Sequence, residues 1–281
     1  MRLKLETMQP TASYKVRGAF NAVLRMVEER GAAAPPLVTA SAGNHGRALA
    51  WAVDAGSMQL TVYAPEHAPR TKLEAIAASG AVLVPCRDYD EAERRAKDHA
   101  AREGALFISP YSHPDVIAGA GTIGLEILEE WPDVDTIVVP IGGGGLVSGI
   151  ALAVHAVSER VSVAGVEVEA SCPFTKGIAA GRIVDIDVRP TLADGLAGNL
   201  DPDTITFDIV RREVSRIAVV SEANLREAIA GTVRNEQMVT EGAGAAGVAA
   251  LLAGTLDVRG KRVAVVLSGG NIDQGTLSTI V

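Results

Sequence analysis

From residue 37 onward the chain alternates short β-branched and aliphatic runs with longer stretches whose apolar positions recur at helical spacing. Apolar runs at 37–39, 60–63, 81–84 and 106–108 are interleaved with helix-length segments at 44–55, 70–78 and 89–103. A second series opens after Ser112-His113-Pro114, with a helix over 116–130, a strand at 136–141, a helix over 146–158 and a strand at 161–168. Residues 171–208, punctuated by Gly, Pro and Asp, carry no period that assigns an element. The chain closes with a strand at 217–220, helices over 222–234 and 245–252, and a strand at 263–267. Gly, Pro or Asp fill the connections, so the alternation predicts βαβ units and parallel sheets. No flexible linker separates the two series, which predicts one lobe, 37–112, inserted into another built from 1–36 and 113–281.

Composition narrows the function. With 48% hydrophobic and 21% charged residues over 281 positions, the chain has the makings of a real core, which excludes a disordered tail. Aromatic residues are only 4% while glycines number 29, favouring binding loops made of backbone over a stacking platform for bases. A net charge of −8 without a basic block argues against nucleic acid as partner. Cys86 and Cys172 lie far apart and form no CxxC, and the first residues alternate charge without the apolar stretch of a signal peptide. A reduced, cytoplasmic setting is expected. Residues 136–158 lack Asp, Glu, Lys and Arg and are long enough to span a bilayer. However, Pro140 and four consecutive glycines interrupt them, and unpaired peptide groups are not tolerated in lipid. A strand, loop and helix are predicted there, and no membrane partner.

Three loops at strand ends and one lysine could carry chemistry. Gly142, Gly143, Gly144 and Gly145 follow an apolar strand and open a helix, so converging N–H groups and the helix dipole suit a phosphate. The run is neither a Walker A loop nor a dinucleotide fingerprint; the alternative is a tight strand–helix turn, over which a phosphate is favoured because four glycines are costly to order without a use. Ser41, Ala42, Gly43, Asn44 and His45 sit at another strand-to-helix junction, where Ser41 or Asn44 could simply cap the helix. Ser268-Gly269-Gly270-Asn271 follows a third strand, and Lys15 lies in Ser13-Tyr14-Lys15-Val16-Arg17-Gly18. Alone, each reads as a turn or a surface charge.

Together, in this order and spacing, they resemble the serine/threonine dehydratases, members of the fold type II, tryptophan-synthase-β-like enzymes that use pyridoxal 5′-phosphate (PLP). The segments Ala118-Gly119-Ala120-Gly121-Thr122-Ile123-Gly124 and Glu241-Gly242-Ala243-Gly244-Ala245 extend the match over essentially the whole chain. The resemblance implies an α/β, two-lobed PLP fold type II, each lobe a mostly parallel twisted sheet flanked by helices. It implies that Lys15 is the catalytic amine and covalent cofactor anchor, and that the glycine run with Leu146 holds the phosphate. Asn44 is implied to bind the ring hydroxyl, Ser268 the ring nitrogen, and the segment from Ser41 to His45 the carboxylate of an amino-acid substrate. The implied reaction is β-elimination of L-threonine and/or L-serine to 2-oxobutanoate or pyruvate plus ammonia, in a homodimer or homotetramer.

Departures from the family pattern shape the alternatives. Serine racemases of the family carry a second serine at the position of Ala42, so dehydration is expected over racemisation. Relatives with a divalent cation place an Asp six residues after a Glu; here Glu167 is followed by Pro173, and no metal is expected. The family pattern also places a helix and one or two strands before the segment matching Leu3–Glu6, so a shortened N-terminus is expected, and with ten residues after Asn271, no regulatory domain. A serine racemase, a 3-hydroxyaspartate dehydratase or a diaminopropionate ammonia-lyase are the related alternatives, and a truncated, non-catalytic PLP- or amino-acid-binding protein the unrelated one.

Overall fold

The computed structural model describes residues 1–56, 58–68 and 70–281. By contact they form two compact units, Met1–Tyr14 with Ala120–Val281, and Lys15–Gly119. The segment 37–112 lies inside the second unit. That unit is wider because helix α1 (Lys15–Arg30) buries Val16, Ala19, Ala22 and Val23 in one cluster with Leu49, Ala52 and Val53 of α2 (Asn44–Gly56).

In the first unit, β1 (Arg2–Leu5), β6 (Thr136–Pro140), β7 (Ser162–Val168), β8 (Arg216–Val220) and β9 (Val263–Leu267) form a parallel sheet in the order β1-β9-β6-β7-β8. Every residue of β6 and β9 is buried, as expected of central strands covered by helices on both faces. Strand β1 is an edge, and its charged, alternating sequence fits that place. Helices α6 (Gly145–Val157) and α10 (Gly242–Leu252) pack on this sheet through small and aliphatic residues. The residues 171–208 hold α7 (Pro173–Ala180), and α8 (Thr206–Glu213) begins within them.

In the second unit, β2 (Leu37–Ala40), β3 (Leu60–Pro65), β4 (Val82–Cys86) and β5 (Leu106–Phe107) form a parallel sheet in the order β4-β3-β2-β5. Helix α4 (Tyr89–Glu103) starts where Asp88 accepts from the Glu91 N–H at 2.8 Å and stops at Gly104, φ +69°. Among the described residues no helix is long and apolar enough to cross a membrane, and residues 136–158 divide into β6, a glycine loop and α6.

Both sheets reverse their strand order once, between β9 and β6 in the first unit and between β2 and β5 in the second. Loops leaving such strands diverge to opposite faces and open a crevice at the carboxyl ends. The motif loops emerge at these two points.

Candidate active site

In the second unit, β2 ends at Ala40 and the chain turns through Ser41, Ala42 and Gly43 into α2. The Ser41 hydroxyl accepts from the Gly43 N–H at 3.3 Å, a local turn and not a helix cap. The Ser41 carbonyl passes so close to Gly46 that a Cβ there would lie 2.2 Å from it. Asn44 is half-buried at the start of α2, while Ala42 and His45 are buried. These residues therefore surround the first turn of a helix, whose N–H groups lack partners within it and favour an anion.

His45 points the other way, into the sheet. Its Nε2 lies 3.3 Å from the Ile108 carbonyl, which also accepts from the Thr39 hydroxyl at 2.8 Å. A carbonyl can only accept, so Nε2 carries the hydrogen and Nδ1 is a bare acceptor. Nδ1 is buried with no protein partner. Burial first, then the Lys15 charge, push the His45 pKa down to about 3, against the opposing bond to Ile108. The imidazole is neutral. Two residues beyond Ile108, the Pro110 carbonyl accepts from Lys15 Nζ at 2.7 Å. Lys15, Asn44 and His45, separated in sequence, are thus gathered about the ends of β2 and β5.

In the first unit, β6 leads into Gly142, Gly143, Gly144 and Gly145, with Leu146 in the first turn of α6. Gly144 has φ +87°, and a Cβ there would lie 2.6 Å from Phe174 Cζ and 3.0 Å from Thr206 Oγ1. A Cβ on Gly142 would lie 3.0 Å from Leu196 Cα. Side chains are excluded here, so backbone alone faces whatever the loop holds. Thr206 Oγ1 donates to the Gly143 carbonyl at 2.8 Å. On the adjacent strand β9, Ser268 follows Leu267 and is buried, its carbonyl accepting from the Tyr14 N–H at 2.9 Å. The backbone before Lys15 is anchored through Ser268, through Gly270 N–H to the Ala12 carbonyl at 2.9 Å, and through Asn271 Nδ2 to the Thr11 carbonyl at 2.9 Å.

Glu167, fully buried on β7, accepts from the N–H groups of Phe174 and Thr175 at 2.8 Å each and from the Thr175 hydroxyl at 2.5 Å. Burial pushes its carboxyl pKa up while these donors pull it back. Both oxygens are taken by donors and residue 173 is a proline, so this group does not fit a divalent cation.

The glycine loop, opening a helix at a strand-order reversal, fits a phosphate, and Lys15 is an amine at the other reversal. The family model for pyridoxal-phosphate dependent enzymes matches residues 1–269. The chain belongs to this family. Within this PLP-dependent family, it is 41% identical to the L-threonine ammonia-lyase of Thermotoga maritima over 283 residues, covering 99% of this chain and 69% of that protein. It superimposes on the processed threonine deaminase isoform 2 of Solanum lycopersicum with a TM-score of 0.91 at 28% identity, covering 99% of this chain and 77% of that one. A PLP-dependent aspartate racemase gives a TM-score of 0.90 at 32% identity, covering 98% and 85%. PLP is the cofactor, and the fold is type II, with each sheet wholly parallel among the described strands.

Sequence reasoning missed Pro110 and Thr206. Pro110 acts through a carbonyl, which any residue possesses, so no signal marks it. Thr206 lies in the stretch that periodicity left unassigned.

Proposed function

We propose that this enzyme removes the β-hydroxyl of L-threonine and/or L-serine, releasing 2-oxobutanoate or pyruvate and ammonia. The observation that carries the reading is the Lys15 amine held at the carboxyl end of one parallel sheet, with Asn44 and the α2 N-terminus beside it. The 41% identity to an L-threonine ammonia-lyase supports the choice of substrate.

PLP, when bound, supplies an electron sink for the pair left at the substrate Cα. The loop of Gly142, Gly143, Gly144, Gly145 and Leu146 would hold its phosphate, Asn44 its ring hydroxyl and Ser268 its ring nitrogen. A serine hydroxyl carries no negative charge, so Ser268 would not stabilise a protonated ring nitrogen. A weaker sink favours prompt loss of the β-hydroxyl over a long-lived carbanion. Lys15 Nζ would anchor the cofactor and then, as a free amine, take the α-proton. Ser41, Ala42, Gly43, Asn44 and His45 would seat the substrate carboxylate at the α2 N-terminus. Ala42 offers no proton donor, which supports elimination over racemisation. The two free cysteines are consistent with a cytoplasmic setting.

The test is an assay of purified protein with PLP, following 2-oxo acid and ammonia over a panel of β-substituted amino acids. Release of 2-oxobutanoate and ammonia from L-threonine in equal amounts supports the reading. Cofactor colour without turnover of threonine or serine overturns it in favour of a binding protein.

A further inference from the structure

Pro173, first residue of α7, has no N–H, and the Lys176 N–H is taken by the Cys172 carbonyl at 3.1 Å. The two remaining first-turn donors, Phe174 and Thr175, are those that Glu167 accepts. Cys172, at the capping position, makes no side-chain cap. The start of α7 is therefore capped by a carboxylate from strand β7, six residues upstream and with no exposure to water. The residue fixed by that cap is Phe174. Its ring is fully buried, stacks on Phe207 at 6.2 Å and 18°, and backs onto Gly144 where that glycine has positive φ.

We propose that Glu167 is a positioning residue for the PLP phosphate loop, acting through the α7 cap and the Phe174 ring and without a metal ion. The proposal rests on the reading of the glycine run as the phosphate cradle. Moving the α7 start by a few tenths of an ångström moves the ring that defines the back of the loop, and the N–H groups aimed at the phosphate move with it. Removing the carboxylate also leaves two buried N–H groups without an acceptor, which costs the helix its fixed start.

The experiment compares wild type, Glu167→Ala, Glu167→Gln and Phe174→Leu. It measures the PLP dissociation constant by titrating apoprotein, the phosphorus NMR shift of the bound cofactor, and the melting temperature, with Mg²⁺ and with EDTA. Glu167→Ala is expected to weaken PLP binding about tenfold and shift the phosphorus resonance. Phe174→Leu should move both observables in the same direction with the carboxylate intact. Glu167→Gln, which keeps one accepting oxygen, should fall between, and Mg²⁺ or EDTA should change nothing. A Glu167→Ala protein with a lower melting temperature but unchanged affinity and phosphorus shift would make the residue merely structural and overturn the proposal. So would an EDTA-sensitive affinity in wild type that Glu167→Ala abolishes. Should Glu167→Ala not fold, unchanged phosphorus shifts in both other variants overturn it equally. Failure of the cradle reading looks different: the wild-type phosphorus shift and affinity would then be indifferent to Gly144→Ala.

Discussion

Lys15 Nζ donates to the backbone carbonyl of Pro110 across 2.7 Å, joining the first residue of α1 to the segment that leaves β5. A carbonyl acceptor orients the amine without competing for a covalent bond, because a peptide oxygen is not displaced when the amine reacts. Residue 110 can be changed without removing that oxygen, whereas residue 15 has no substitute.

Lys15→Ala and Lys15→Arg are both expected to lose the absorbance of lysine-bound PLP and all ketoacid release. Each should still bind PLP non-covalently, since the glycine loop proposed to hold the phosphate is intact. Dialysis followed by absorbance reads this, and a retained lysine-type spectrum in either variant would remove Lys15 from its role.

Ala42→Ser places a hydroxyl next to Ser41 at a buried position. With a proton donor added, D-serine formation from L-serine should rise by tenfold or more relative to pyruvate release, as one acid–base group contributes about 10²–10⁴-fold. Chiral chromatography of the products measures the ratio. An unchanged ratio would mean that elimination is not favoured by the missing hydroxyl.

Gly46→Ala forces a methyl group to within 2.2 Å of the Ser41 carbonyl and 3.1 Å of Ile76 Cδ1. The backbone must yield, and a loss of about 2–3 kcal/mol in stability is expected from overpacking. Because the strain falls on the proposed carboxylate seat, KM for threonine should rise as well. Urea unfolding and steady-state kinetics test the two effects separately.

His45 supplies a pH dependence with a definite sign. Its folded pKa, about 3, lies below the unfolded 6.5, so between these values the unfolded chain binds the extra proton. Stability therefore falls as pH drops from 6.5 toward 3, with a slope from this residue approaching about 1.4 kcal/mol per pH unit. His45→Asn should flatten the slope by one proton in urea titrations at several pH values. An unaltered slope would show that the imidazole is not neutral in the fold.

Much of this architecture is legible in the sequence because its signals are local. Helix α4 matches 89–103 residue for residue, having an Asp cap at one end and Gly104 at the other. Strand β9 matches 263–267, a wholly apolar run between charged and glycine-rich flanks. Helix α7 escaped because its cap comes from Glu167 on a preceding strand and its own capping position is a cysteine. Strand β1 escaped because its partner, β9, is more than 250 residues away and an edge strand carries no apolar run. At the site, the glycine run and the Ser41–His45 region were visible as residue types at strand ends, while Lys15 stood out only through the family resemblance. The supports contributed by Pro110, Thr206 and Phe174 were not, since a backbone acceptor, one threonine and one core ring have no distinguishing pattern.

The pairing of Arg2 with Ala264 through Leu5 with Leu267 sets an order of assembly. The Lys15–Gly119 unit is one continuous stretch with its own core, so it can fold while the rest of the chain is still on the ribosome. The other sheet needs β9 before β1 gains its neighbour and β6 its second one. Closing it means joining the two most distant strands of the molecule, a slow, non-local step. The lysine-bearing unit is thus complete early, and the sheet bearing the glycine loop closes only once β9 has been made.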